Sequence, residues 1–363
     1  MDSNRNFTIG DLVILGFKGQ SVSTETAKTI RNYGIANVIL FGPNNPNNNF
    51  ASKSQLIELT DELQSLRDHS AFPMIISADQ EGGRVQRFRN DFTLLPSAMK
   101  VATKNSHELT VELAKIQARE LYAAGIQLNF APVCDINTNP SNPVIGDRAY
   151  GSDEATVSNL VTAVIEGHLR EGVQPCIKHF PGHGDTNLDS HYALPTVNTP
   201  LDVLRSREWI PFQRSIQAGC NFLMSAHILL PHLDAERPGT LSSTFLKKHL
   251  REELGYQGAV ISDDMQMQAI TDHYGAEEAP ILALEAGCDL LCYRTEDATI
   301  LAMESIEKAI REKRLSVEKL NASVERVRRI RSRIRLAKDQ MNKGERSAII
   351  GAQVHLEFVQ QFQ

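Results

Sequence analysis

The chain is poor in the features that would place it outside ordinary globular enzymes. It has no CxxC pair, and its five cysteines (Cys134, Cys176, Cys220, Cys288 and Cys292) are odd in number and far apart. That excludes a disulfide framework or a zinc knuckle and fits small buried hydrophobes in a reducing compartment. No apolar run approaches the roughly 20 residues of a membrane span. The charge excess is small, 38 Lys+Arg against 44 Asp+Glu, a net of -6. It gives no electrostatic reason to expect nucleic acid as a partner. The first residues, MDSNRNFTIGDLVIL, lack the apolar core and small-residue cleavage site of a signal peptide, which points to the cytoplasm. There is also no GxGxxG, so a dinucleotide or phosphate loop has no support and no cofactor is expected.

What the 363 residues do contain is a series of short apolar runs bounded by turn residues. They fall at 11–16, 36–41, 74–78, 127–132, 174–179, 221–226, 259–262 and 289–293. Each is continuously apolar rather than alternating, which is expected of parallel strands covered on both faces. Amphipathic stretches lie between them at 56–66, 108–121, 155–169, 203–216 and 277–286. Several end in a glycine just before the next strand, as at Gly125, Gly172, Gly219 and Gly287, a helix-capping position. Eight such units predict an α/β fold, a (β/α)8 TIM-type barrel over 1–315, with an open doubly wound sheet as the alternative.

Beyond Ser316 the character changes. Residues 317–339 read as a basic helix (VERVRRIRSRIRLAK within it). Its arginines could serve an anionic partner. Alternatively, Val324, Val327, Ile330 and Ile334 pack it on the barrel and the charges are merely solvated. Residues 316–363 are thus a helical extension whose tail is too small to be a domain.

Barrel enzymes carry their chemistry at the C-terminal ends of the strands. Polar residues gather at six of the eight expected ends: Asp79; Asp135; Lys178 with His179; His227; Asp263 with Asp264; and Arg294. The densest segment is KHFPGHGDTNLDSHYALP, which begins at Lys178. It holds three His and two Asp on a Pro/Gly-rich loop. Three readings of its residues stand side by side. It could be a metal site built from His179, His183, Asp185, Asp189 and His191. It could hold an Asp–His dyad in which Asp189 orients His191. It could also be a loop whose polar groups only satisfy one another. In GAVISDDMQM the two neighbouring carboxylates cannot face the barrel mouth in the same way. The pocket position suits Asp263, and a helix N-cap before MQMQAI suits Asp264. In SADQEGGRVQRF, Gly82–Gly83 allow a tight turn after Asp79. Arg84 and Arg87 are then available to Asp79, Glu81 or sugar hydroxyls. In PVIGDRAY, Arg148 follows a long loop after the fourth strand.

These four motifs, in this order, resemble family 3 glycoside hydrolases of the β-N-acetylglucosaminidase (NagZ-like) type, from the first strand to about Arg335. The resemblance implies the same barrel. It also implies retaining hydrolysis of terminal non-reducing N-acetyl-β-glucosaminides, peptidoglycan fragments or chitooligosaccharides, through a glycosyl-enzyme intermediate. By motif, Asp263 matches the nucleophile, His191 the general acid/base and Asp189 its partner. Asp79, Arg87, Arg148, Lys178 and His179 match the sugar-binding positions, and His227 is added to that set. The preference for the N-acetyl sugar comes from the resemblance alone. Longer members carry a further αβα domain after a helical linker, and the tail GAQVHLEFVQQFQ resembles the start of that linker. A missing C-terminal domain is therefore a possible partner. Two other activities fit the same residues: phosphorolysis, since a neutral His base repels phosphate less than a carboxylate would, and metal-dependent hydrolysis through His179, His183 and Asp263. A sugar-binding protein without activity is expected to have lost Asp263 or His191, and both are present.

Overall fold

The computed structural model describes residues 5–67, 72–187 and 194–362. Eight parallel strands form one sheet: β1 (Val13–Gly16), β2 (Asn37–Ile39), β3 (Ile75–Ala78), β6 (Leu128–Asn129), β7 (Gln174–Phe180), β8 (Phe222–Ser225), β9 (Ala259–Ser262) and β10 (Leu291–Tyr293). Their order is β10-β1-β2-β3-β6-β7-β8-β9. A parallel bridge between Ile261 and Leu290 brings the last strand back to β10, so the sheet curls into the expected (β/α)8 barrel. β6 is shorter than its apolar run, because Ala131 N turns back to the Asn129 carbonyl at 2.8 Å, and the pairing with β7 resumes only at Val133. The other two strands, β4 (Gln80–Gly82) and β5 (Val85–Gln86), form a small antiparallel hairpin above β3 that apolar patterning did not predict.

Two apolar layers hold this together. Inside the barrel, Ile14, Ile39, Ile75, Leu128, Phe130, Cys176, Phe222, Met224, Ile261 and Cys292 pack as one cluster. Outside, the opposite faces of the same strands pack against the surrounding helices. Strands buried on both sides have no polar face to show, which explains their uniform apolarity. At Gly125, φ is +84°, and the chain turns there from the helix His107–Ala123 into β6. All five cysteines are buried and free. Among the described residues no helix is long and apolar enough to cross a membrane.

The basic helix is a plug. Val317–Arg331 places Val327 and Ile330 in the barrel's interior cluster, with Ile334 against it. Its arginines meet partners at the barrel floor. Arg326 pairs with Asp289, Arg328 Nη2 lies 3.1 Å from Asp11, and the buried Arg331 donates to the Pro73 carbonyl at 3.0 Å. The packing reading of this segment therefore describes it. The tail runs along the outer helices. Buried Arg346 pairs with Asp61 at 2.8 Å, and Glu120 accepts from Gly351 N at 3.0 Å and contacts His355 Nδ1 at 2.8 Å.

Candidate active site

The strand ends converge on a cavity of about 320 Å³ at the C-terminal mouth of the barrel. That is near the lower end for small-molecule sites. A larger open groove of about 1220 Å³, beside the helix Glu296–Arg311, holds surface ion pairs such as Arg5–Glu307 and none of the candidate residues.

One wall is an alternating grid of charges. Asp79, just past β3, and Glu81, two residues on in the hairpin, present both carboxylates to Lys178. Its Nζ lies 2.9 Å from Asp79 and 2.6 Å from Glu81. Arg87 closes on the second Asp79 oxygen at 3.0 Å, and Arg148 takes Glu81 in a two-bond fork at 2.8 Å each. Burial by itself would raise both carboxyls. For Asp79, Lys178 and then Arg87 outweigh it and hold the group far below the usual carboxylate range. For Glu81, Arg148 and Lys178 outweigh it and hold the group at about 2. Burial would discharge Lys178, only 2% exposed, but the two carboxylates raise its affinity for the proton. Asp79, Glu81 and Lys178 are therefore all ionised at neutral pH.

The hairpin is aimed from behind. Asn129 on β6 clamps the Gln80 backbone, accepting from its N–H at 3.0 Å and donating to its carbonyl at 3.0 Å. Gln117 donates to the same carbonyl. Asn129 also contacts the buried His168 Nε2 at 3.0 Å, and burial lowers that imidazole to about 4, so it stays neutral. Arg84 does not join the grid. It donates to Asp147 at 2.7 Å and to the Val144 carbonyl at 2.6 Å, tying the hairpin to the loop that carries Arg148.

His179 closes β7. Its Nδ1 lies 2.6 Å from Asp135 Oδ2, and its Nε2 sits 3.5 Å from Arg148 Nη2. Asp135 is wholly buried and also accepts from the N–H groups of His179 (3.2 Å) and His183 (2.7 Å). Burial opposes its ionisation, but His179 and these bonds prevail and lower it. The segment after β7 is pinned on its other side by Asn142, which donates to the carbonyls of His183 (2.9 Å) and Gly184 (3.0 Å). His183 lines the cavity; burial, then the neighbouring His179, lower it to about 4.

Asp263 leaves β9 with its N–H on the Ser225 carbonyl at 3.2 Å, and it lines the cavity. Its Oδ1 accepts from Asp264 N at 2.8 Å. The two neighbours both line the cavity but differ in their contacts, and Asp264 is not the expected helix cap. The next helix is Gln268–Tyr274, and its N-cap is Met267. The Asp264 carboxylate instead pairs with Arg294 at 2.8 Å and accepts from Gln266 N at 3.0 Å.

Six expected site residues therefore share the cavity: Asp79, Arg87, Arg148, Lys178, His179 and Asp263. His227 does not line it. This buried ring contacts Thr240 Oγ1 at 2.9 Å and the Asp264 carbonyl at 3.1 Å, and so braces the turn after β9. Asp189 and His191 lie outside the described residues. Glu81, Asp135 and Arg294 are wall or support residues that had no role of their own in the sequence reading. For Glu81 a signal was present: in DQE the two acids are two apart, one face of an extended segment. Among the described residues no three His, Cys, Asp or Glu side chains cluster as metal ligands.

Residues 7–330 match the glycosyl hydrolase family 3 N-terminal domain. The chain is 36% identical over 300 residues to a β-hexosaminidase of Nitrosospira multiformis, covering 80% of this chain and 83% of that one. It is 37% identical over 297 residues to a β-hexosaminidase of Thiobacillus denitrificans, covering 80% of each. A family 3 β-N-acetylglucosaminidase structure from Paenibacillus sp. superposes with a TM-score of 0.88 at 36% identity, over 98% of this chain and 67% of that one. The chain belongs to glycosyl hydrolase family 3. It is a glycoside hydrolase.

Proposed function

We propose that the chain is a retaining β-N-acetylglucosaminidase that removes one terminal, non-reducing N-acetyl-β-glucosaminide at a time. The observation that carries this reading is the Asp79–Lys178–Glu81–Arg148 grid in the cavity that Asp263 also lines. Adjacent hydroxyls of a sugar each need a donor and an acceptor, and alternating cations and carboxylates supply both. Lys178 has three N–H bonds for two carboxylates, which leaves one donor for a ligand. The cavity's size suits a single ring rather than a chain. The β-hexosaminidase relatives support the same substrate class.

In this mechanism the sugar sits against the grid. Asp263 attacks the anomeric carbon and forms a glycosyl ester while the leaving oxygen takes a proton. His191, oriented by Asp189, is the proposed donor. Deprotonated by that step, it then takes the proton of the water that cleaves the ester. Three cations (Lys178, Arg87 and Arg148) face two carboxylates in the grid, so the wall keeps one positive charge toward the anionic Asp263.

The test is release of 4-nitrophenol from its β-N-acetylglucosaminide and its β-glucoside, by wild type and Asp263→Asn, with and without EDTA and phosphate. Turnover of the N-acetyl substrate that ignores EDTA and falls roughly 10³-fold or more in the variant is expected. Turnover that needs a metal, or that survives in Asp263→Asn, would overturn the mechanism. Acceleration by phosphate, with sugar 1-phosphate as product, would replace hydrolysis by phosphorolysis.

A further inference from the structure

Under the segment that leaves β7 lies a carboxyl that the reaction above does not use. Leu204–Glu208 form a single π-helical turn that runs into the helix Trp209–Gln217. Such turns insert a residue into the helical ladder and are found frequently at functional sites. Here the turn places three consecutive side chains against the segment 181–187. Trp209 Nε1 donates to the Pro181 carbonyl at 3.1 Å, and its ring lies against Phe180 and His249. Arg207 comes within 4.0 Å of Asp185. Glu208 packs under Gly182, whose φ is +126°. A Cβ placed on that glycine would stand 3.2 Å from Glu208 Cβ and 3.5 Å from Oε2.

Glu208 is 3% exposed. Its Oε1 accepts from Arg207 Nε at 2.6 Å, but the buried Oε2 has no hydrogen-bond partner. The charged groups that face it are Arg207 on its own helix, Asp185 on the segment above, and Asp135 beyond β6, with His179 and His183 bonded to that carboxylate. Burial pushes the Glu208 carboxyl up to about 7, against the pull of Arg207 and with the help of Asp135 and Asp185. Near neutrality it can hold a proton, which spares the dry Oε2 a charge it has no donor to balance.

We propose that Glu208 is a positioning residue for the acid/base chemistry. Packed under Gly182 and acting without touching substrate, it fixes the segment 181–187, from which the chain runs on to Asp189 and His191. The inference rests on the reading of His191 as the acid/base.

Its test is a leaving-group series of aryl β-N-acetylglucosaminides, from 2,4-dinitrophenol to phenol, with wild type, His191→Ala and Glu208→Ala. An acid matters most when the leaving group is poor. In Glu208→Ala, kcat/KM is expected to fall roughly 10–100-fold for phenol. It should barely change for 2,4-dinitrophenol, and inhibition by free N-acetylglucosamine should be preserved. His191→Ala should show the same slope more steeply. If His191→Ala has that slope and Glu208→Ala loses activity equally on all substrates, or none, the acid/base reading stands and the inference fails. If His191→Ala loses equally on all substrates, the acid/base reading fails first and the inference with it. Should Glu208→Ala not fold, Glu208→Gln decides. A fall in kcat/KM with pH near 7 for phenol but not for dinitrophenol, steeper or earlier in wild type than in Glu208→Gln, which retains the limb of His191 alone, supports the inference. Identical pH profiles overturn it.

Discussion

Replacing Glu208 by Gln should stabilise the protein above neutrality relative to its effect in acid, and the size follows from the same buried oxygen. In the unfolded chain this carboxyl ionises around its ordinary value of 4.5, whereas in the folded protein it holds its proton to about 7. Between those two values the native state binds more protons than the unfolded state, so wild-type stability falls as pH rises. The group's contribution is fully present below about pH 4.5 and gone once pH has passed about 7. At about 1.4 kcal/mol for each tenfold difference in proton affinity, the loss is about 3 kcal/mol. Gln keeps the shape and cannot ionise. The stability difference between Glu208→Gln and wild type should therefore drift by about 3 kcal/mol in favour of the variant between about pH 4.5 and 8. Equilibrium urea unfolding at a series of pH values measures it. Taking the difference between two proteins that share every other titrating group isolates this one. Any strain or contact made by the Gln amide adds a constant offset, not a slope. A difference that stays flat with pH would refute the reasoning, because it would mean that Glu208 ionises normally and that the seat under Gly182 is not dry.

Two other perturbations test the charged wall and the segment above it. Lys178→Met leaves two buried carboxylates with one arginine each, so we expect a loss of about 3 kcal/mol in unfolding free energy and weaker competitive inhibition by N-acetylglucosamine. An unchanged denaturation midpoint would show that the arginines suffice. In Gly184→Ala the new methyl would stand 1.6 Å from the Ile136 carbonyl oxygen, so the segment must move. A shift of about 1 Å costs roughly 100-fold in kcat/KM, and wild-type turnover would show that the segment's position does not matter to the reaction.

The barrel was legible because burial on both faces leaves a parallel strand no choice but continuous apolarity, and all eight such runs are strands. The β4–β5 hairpin was not legible for the opposite reason. Its buried residues are amides satisfied by hydrogen bonds. Gln80 Nε2 donates to the Phe88 carbonyl at 2.9 Å, and Gln86 Nε2 to the carbonyls of Phe88 (3.0 Å) and Thr93 (2.9 Å). Apolar periodicity cannot register a core made of paired polar groups. The π-helical turn at Leu204–Glu208 was hidden as well, since an inserted residue barely disturbs a helical pattern. Asp135 was visible as a strand end, but its value depends on meeting His179, 44 residues away in the chain. The basic helix could be read either way from its charges. Its apolar residues carried the correct reading, since Val327 and Ile330 are what enter the barrel floor.

The neighbouring pair Asp263–Asp264 shows where local pattern stops short: both line the cavity, and the second is not the helix cap its position suggests. Alternation turns two adjacent side chains at a strand end in different directions, yet both carboxylates line the cavity, the second on its way to Arg294. The tasks of the second cannot be read locally, because its partners come from elsewhere: Arg294 after β10, and His227 after β8, which meets its carbonyl. Those contacts hold the backbone on the far side of Asp263, while Ser225 holds its N–H. His227 thus supports the backbone beside Asp263, and its polarity at a strand end gave it the same sequence signature as a cavity-lining residue. A general consequence follows for barrel mouths. Polar strand ends mark the ring of residues that build the site, and only the second contact of each side chain tells wall from support.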